Sequence, residues 1–97
     1  MDEKELLSSC TEKLSKGLPT LRAMCNLTQK NLGDLVGVSR QTITNIESGK
    51  SKMKWTLFLA LMPVFGMNKN CMNYIKEMEI PYSQVKKVLA NKVGKAL

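Results

Sequence analysis

Residues 28–50 read TQKNLGDLVGVSRQTITNIESGK, and this stretch decides the fold. Leu32, Leu35 and Val36 recur at helical spacing, and so do Ile43 and Ile46. Gly37 interrupts the two runs and supplies the positive φ that a sharp turn between helices often needs. Val38 returns inward, and Ser39 stands where the next helix needs its N-cap. Thr28 holds the same position before the first run. The reading is two short helices, 28–36 and 39–47, joined by a tight turn. Gly33 lies in the middle of the first, where glycine costs roughly 1 kcal/mol against alanine. A packing reason follows: without a Cβ, the next helix can approach closely. Ser48-Gly49 ends the second helix.

Toward the C-terminus, residues 51–54 form a basic loop. Trp55 to Phe65 is too apolar for a surface helix and should lie buried, with Trp55 as a cap on the core. Pro63 predicts a kink or an early end there, and Gly66 closes the segment. Asn70 to Met78 reads as a further helix with Cys71, Tyr74, Ile75 and Met78 on one side. Pro81 opens a last helix to about Val93, striped by Val85, Val88, Leu89 and Val93. Toward the N-terminus, Asn26 suits a left-handed cap after a short helix from Pro19 to Cys25. Leu18, Leu21 and Cys25 turn inward on it. Gly17 allows a break. Before it, Asp2 to about Lys16 forms a helix, with Asp2 and Glu5 at capping-box spacing and Leu6, Leu7, Cys10 and Leu14 as its stripe. Nothing alternates at period two, so the expected fold class is all-α.

The 97 residues allow one domain with one modest core, built mainly from Leu, Val, Ile and Met because aromatics are only 5%. The net charge of +7 favours a polyanionic partner. It is uneven: Asp2, Glu3, Glu5 and Glu12 hold half of the eight acids, while Lys50, Lys52 and Lys54 crowd the loop after 47. Lys86, Lys87, Lys92 and Lys95 of the last helix read as a solvated face. Three widely spaced cysteines, no CxxC pair and no His argue against a structural zinc site. Cys10, Cys25 and Cys71 read as reduced, partly buried thiols of a cytoplasmic protein. The start, MDEKE, has the wrong charge for a secretory signal, and residues 56–67 are too short to span a bilayer. No cofactor or metal is expected. With no His, no paired carboxylates on one face and no Gly-rich phosphate loop, the chain is not read as an enzyme.

From Leu18 to Gly66 the chain resembles the Cro/repressor-type (XRE-like, lambda repressor-like) helix-turn-helix family. The resemblance rests on Leu27-Thr28-Gln29, Leu32, Gly33, Leu35 to Ser39, Ile43, Ile46, Glu47 and Gly49-Lys50. It implies a lambda repressor-like bundle with extra N- and C-terminal helices. The parts would be an acidic N-terminal helix (1–17), the DNA-binding domain (18–67) and a C-terminal helical extension (68–97) able to dimerise. The family's second helix crosses the DNA backbone and its third lies in the major groove. Carried over, Arg40, Gln41, Thr44 and Asn45 stand at base-reading positions. The chemistry agrees: Arg pairs with guanine O6 and N7, and Gln or Asn with adenine N6 and N7. Gln29 maps to a phosphate contact at the amino end of its helix, with Thr28 and Ser39 at the two helix starts. Ser48, Lys50, Lys52 and Lys54 form a second phosphate cluster. Arg22 and Glu47 map to an ion pair across helices. Two departures bear on dimer geometry: Pro19 should shorten the family's first helix, and Pro63 sits where its fourth continues.

The resemblance thus implies a transcriptional regulator, most simply a repressor, that binds a near-palindromic double-stranded operator as a homodimer. A second reading is an antitoxin or interaction module whose C-terminal helices grip a partner protein. The expected partners exclude a membrane.

Overall fold

The computed structural model describes residues 2–96, which form six helices and no strand. These are α1 (Glu3–Met24), α2 (Gln29–Val36), α3 (Arg40–Glu47), α4 (Trp55–Gly66), α5 (Lys69–Glu77) and α6 (Tyr82–Ala96). The chain is all-α, as its periodicity required.

Four helix starts follow the capping chemistry, while Lys54, the N-cap residue of α4, makes no side-chain cap. Asp2 Oδ1 accepts from the Glu5 N–H at 2.8 Å, Thr28 Oγ1 from Asn31 at 3.0 Å, Ser39 Oγ from Thr42 at 3.1 Å and Asn68 Oδ1 from Cys71 at 3.0 Å. Thr28 and Asn31 form a reciprocal capping box. The turn residues behave as their types allow: Asn26 has φ 56°, Gly37 φ 77° and Gly49 φ 81°.

One expectation fails clearly. The break at Gly17 and the new helix at Pro19 do not exist, because α1 runs unbroken through both. The apolar positions explain this. Leu6, Cys10, Leu14, Leu18 and Leu21 are all buried on one continuous helical stripe. Pro19 lies on the exposed side, where its ring and its missing hydrogen bond face water. Gly17 serves packing instead: a Cβ there would stand 2.6 Å from Met78 Sδ and 3.0 Å from Tyr74 Cε1. The boundary expected between residues 17 and 18 therefore falls inside a helix. Pro63 is corrected in the same way. It is exposed, and α4 continues past it to Gly66 because Leu57, Phe58, Leu61, Met62 and Phe65 are buried on either side of it.

A single core joins all six helices, from Leu6 to Val85. Helix α1 is its spine, in contact with α3, α4, α5 and α6. Ile75, Ile80 and Val85 are buried in that core, so the C-terminal helices use much of their apolar stripe internally. The stripe fades at Val93, which is exposed. Lys92 does not simply face water: it pairs with Glu3 at 2.7 Å, drawing α6 to the acidic start of α1. Lys13 Nζ donates to the Glu79 carbonyl at 3.0 Å. The side chain of Lys95 lies outside the described residues. Trp55 stacks on Phe58, with centroids 4.8 Å apart and planes 11° off parallel. No helix among the described residues is long and apolar enough to cross a membrane.

Candidate nucleic-acid interface

Helices α2 and α3 meet at the turn through Gly37. Gly33 is buried there, and a Cβ on it would stand 2.6 Å from the Val38 carbonyl oxygen. That carbonyl belongs to the turn, so the missing Cβ admits the turn backbone that leads into α3. The Val38 N–H closes the turn on the Gly33 carbonyl at 2.9 Å. Ile43 and Ile46 then bury the inner face of α3.

The outer face of α3 carries the residues mapped to base reading. Arg40 and Gln41 are exposed, while Thr44 and Asn45 are half-buried. Gln41 Nε2 donates to Asn45 Oδ1 at 2.8 Å, one turn further on. The pair keeps the Gln41 carbonyl oxygen, one Gln41 N–H and the Asn45 amide donors for a ligand. Such a mixed donor–acceptor edge suits the major-groove face of adenine. Thr44 is differently placed. Its hydroxyl lies 2.8 Å from Gln29 Oε1 and 3.0 Å from the Arg40 carbonyl, and its single proton goes to one of them.

Gln29 is therefore also engaged within the protein. Its carbonyl faces Thr44, and its Nε2 donates to Glu47 Oε1 at 3.0 Å. The outward offer that remains is one amide N–H, together with the open amino end of α2. This brace was not legible in the sequence, since residues 29 and 44 share no periodic relation.

Behind the brace lies the charge pair. Arg22 Nε donates to Glu47 Oε2 at 2.6 Å and Nη2 to Oε1 at 2.9 Å, a two-pronged fork between α1 and α3. Arg22 Nη1 also donates to the Leu27 carbonyl at 3.0 Å, just before α2 begins. The side chains are only 18% and 8% exposed. Burial pushes the Glu47 carboxyl up, but hydrogen bonds from Arg22 and Gln29 and the Arg22 charge outweigh it, leaving it below the ordinary carboxylate range. The hydrogen bond to Glu47 holds Arg22 above its usual value, against burial and with help from the Glu47 charge. Arg22, Glu47, Gln29 and Thr44 form one connected chain from α1 to the outer face of α3.

Ser39 caps α3 and shares its hydroxyl with Thr42 Oγ1 at 3.0 Å. Thr28 is similarly occupied by its capping box. Neither hydroxyl projects freely; what the helix starts present outward is unpaired backbone N–H. After α3, Ser48 Oγ donates to the Asn45 carbonyl at 3.1 Å, and the Ser51 N–H reaches the same carbonyl at 3.1 Å. This pins the loop while Lys50, Lys52 and Lys54 stay exposed. Lys52 and Lys54 also line a groove of about 460 Å³ with Thr42 and Asn45. Thr42, absent from the sequence-derived set, thus adjoins Asn45 on the way to the basic loop. From Ser39 to Lys54 the only acid is Glu47, already paired, so this face is positive throughout.

Residues 20–53 match the family model described as helix-turn-helix. The chain is also similar to an uncharacterized HTH-type transcriptional regulator of Methanocaldococcus jannaschii. The two are 46% identical over 46 residues, a match covering 47% of this chain and 70% of that protein. No solved structure matches the chain.

Proposed function

The chain belongs to the Cro/repressor-type helix-turn-helix family of DNA-binding regulators, and on that premise we propose a sequence-specific repressor of the cytoplasm. Two copies bind a near-palindromic duplex. Their α3 helices enter successive major grooves about 34–36 Å apart. Arg40 takes a guanine, and the Gln41–Asn45 edge takes an adjacent adenine. Thr44 positions α3 through Gln29 and stands beside the Gln41–Asn45 edge in the reading set. Lys50, Lys52 and Lys54 hold phosphates on one side of the groove, joined by Ser48 once its hydroxyl turns from the Asn45 carbonyl. Thr28, Gln29 and Ser39 offer the helix amino ends to phosphates on the other. Transcription is blocked by occupying the promoter.

The observation that carries this reading is the contrast between the two faces of α3. Ile43 and Ile46 are sealed in the core, while Arg40 and the Gln41–Asn45 edge face outward beside three exposed lysines. Selection of bound sites from random duplex DNA tests it. The expected result is an inverted repeat with half-site centres one helical turn apart. Absence of any enriched sequence, with only salt-insensitive binding, would defeat it.

A further inference from the structure

Cys25 and Cys71 are 46 residues apart in the chain, yet their sulfur atoms lie 3.2 Å from each other. Cys25 is the C-cap residue of α1 and is half-buried. Cys71 is in the first turn of α5 and fully buried, with its thiol 3.7 Å from the Leu21 carbonyl. We propose that Cys25 and Cys71 are a peroxide-responsive modification site, closing to a reversible disulfide that clamps the C-terminal helices onto the helix-turn-helix unit. This goes beyond DNA reading and does not depend on it.

The geometry assigns the order of events. Cys25 reaches the surface and meets the oxidant first. Cys71 has no exposed surface, so dissolved peroxide does not reach it before Cys25. The Cys25 thiolate attacks one peroxide oxygen and the O–O bond breaks. The second oxygen leaves as hydroxide and takes up the thiol proton as water. Cys25 is now a sulfenic acid. The Cys71 sulfur attacks the Cys25 sulfur: the S–S bond forms, the S–O bond breaks, and the leaving hydroxide takes the Cys71 proton as a second water. The two sulfurs together lose two electrons, and one peroxide is reduced to two waters.

The sulfurs need close only from 3.2 Å to about 2.05 Å. The bond therefore forms within the existing packing and leaves the Gln29–Thr44 brace in place. The closed loop encloses α2, α3 and α4, so it restricts the unfolded chain far more than the folded one. The modification is a clamp on the lifetime of the fold. Cys10 provides an internal control. It is buried on α1 fifteen residues before Cys25, roughly 22 Å along the helix, and cannot reach either partner.

The test treats the reduced full chain with hydrogen peroxide at low protein concentration, then alkylates it under denaturing conditions. Mass measurement should find one alkylated thiol, Cys10, and a linked peptide pair containing Cys25 and Cys71. Dithiothreitol should restore three alkylated thiols. The oxidised chain should melt about 10 °C or more above the reduced one. Cys25→Ser, at the half-buried position, should fold, show two alkylated thiols after peroxide and lose the oxidative gain in melting temperature. Stable sulfinic acid on Cys25, a Cys25-linked dimer, three unchanged thiols or an unaltered melting temperature would each overturn the proposal.

Discussion

Glu47 joins three elements: it accepts from Arg22 on α1 and Gln29 on α2 while standing on α3. Taking away one charge of a buried pair strands the other, at a cost of roughly 3–5 kcal/mol. Glu47→Gln should therefore lower the unfolding free energy by about 3 kcal/mol or more at pH 7, measured by urea denaturation. The pH dependence has a definite sign. The folded Glu47 carboxyl is depressed, so its contribution is present above its unfolded value, near 4.3, and fades as pH falls through the folded one. The gap between wild type and Glu47→Gln should narrow in acid; a gap constant from pH 7 to pH 3 would contradict this account. Among the described residues the Arg40 side chain has no hydrogen-bond or ion-pair partner, and it is exposed. Arg40→Ala should relax base preference at one position per half-site by about 1–3 kcal/mol without changing stability. Site selection with the variant checks it: an unchanged motif would remove Arg40 from the reading set.

At the scale of elements, α1 shows how packing overrides local breakers. Gly17 and Pro19 both argue for a break, and an interior proline costs about 3 kcal/mol. Burial of Leu14, Leu18 and Leu21 on one stripe outweighs it, since each fully buried leucine contributes about 1.5–3 kcal/mol. The continuous stripe was present in the sequence; weighing it against the breakers needed knowledge of what it packs on. The two buried glycines differ in what crowds them. At Gly33 the obstacle is the backbone of the turn, which cannot yield without moving α3. At Gly17 it is the flexible end of Met78 and the edge of Tyr74. Gly33→Val should cost about 2 kcal/mol or more. Gly17→Ala should stay within about 1 kcal/mol of wild type, because the gain in helix propensity offsets the shift of Met78. Thermal melts of the two variants separate these outcomes, and equal losses would contradict the distinction.

At the scale of the molecule, charge is sorted by face. Acids gather at the start of α1, where Glu3 meets Lys92, and the face bearing α3 and the following loop holds Arg40, Lys50, Lys52 and Lys54. On the proposed function this face would bind phosphates with release of counterions, so affinity for duplex DNA should fall steeply as salt rises. Lys50→Ala should weaken binding to every duplex alike and reduce the slope of log affinity against log salt by about one unit. A loss confined to one sequence would instead make Lys50 a base contact.

The sequence by itself determined the all-α class, the α2–turn–α3 unit, its caps and the outward set at Arg40, Gln41 and Asn45. These follow from short-range rules: helical periodicity, side-chain capping and the φ freedom of glycine act within a few residues. The Arg22–Glu47 pair was legible only through family resemblance. Tertiary structure alone decided that α1 is one helix, that Gln29 and Thr44 brace each other, and that Cys25 meets Cys71. Each depends on residues far apart in the chain being brought together by burial of a shared core, which no local pattern encodes.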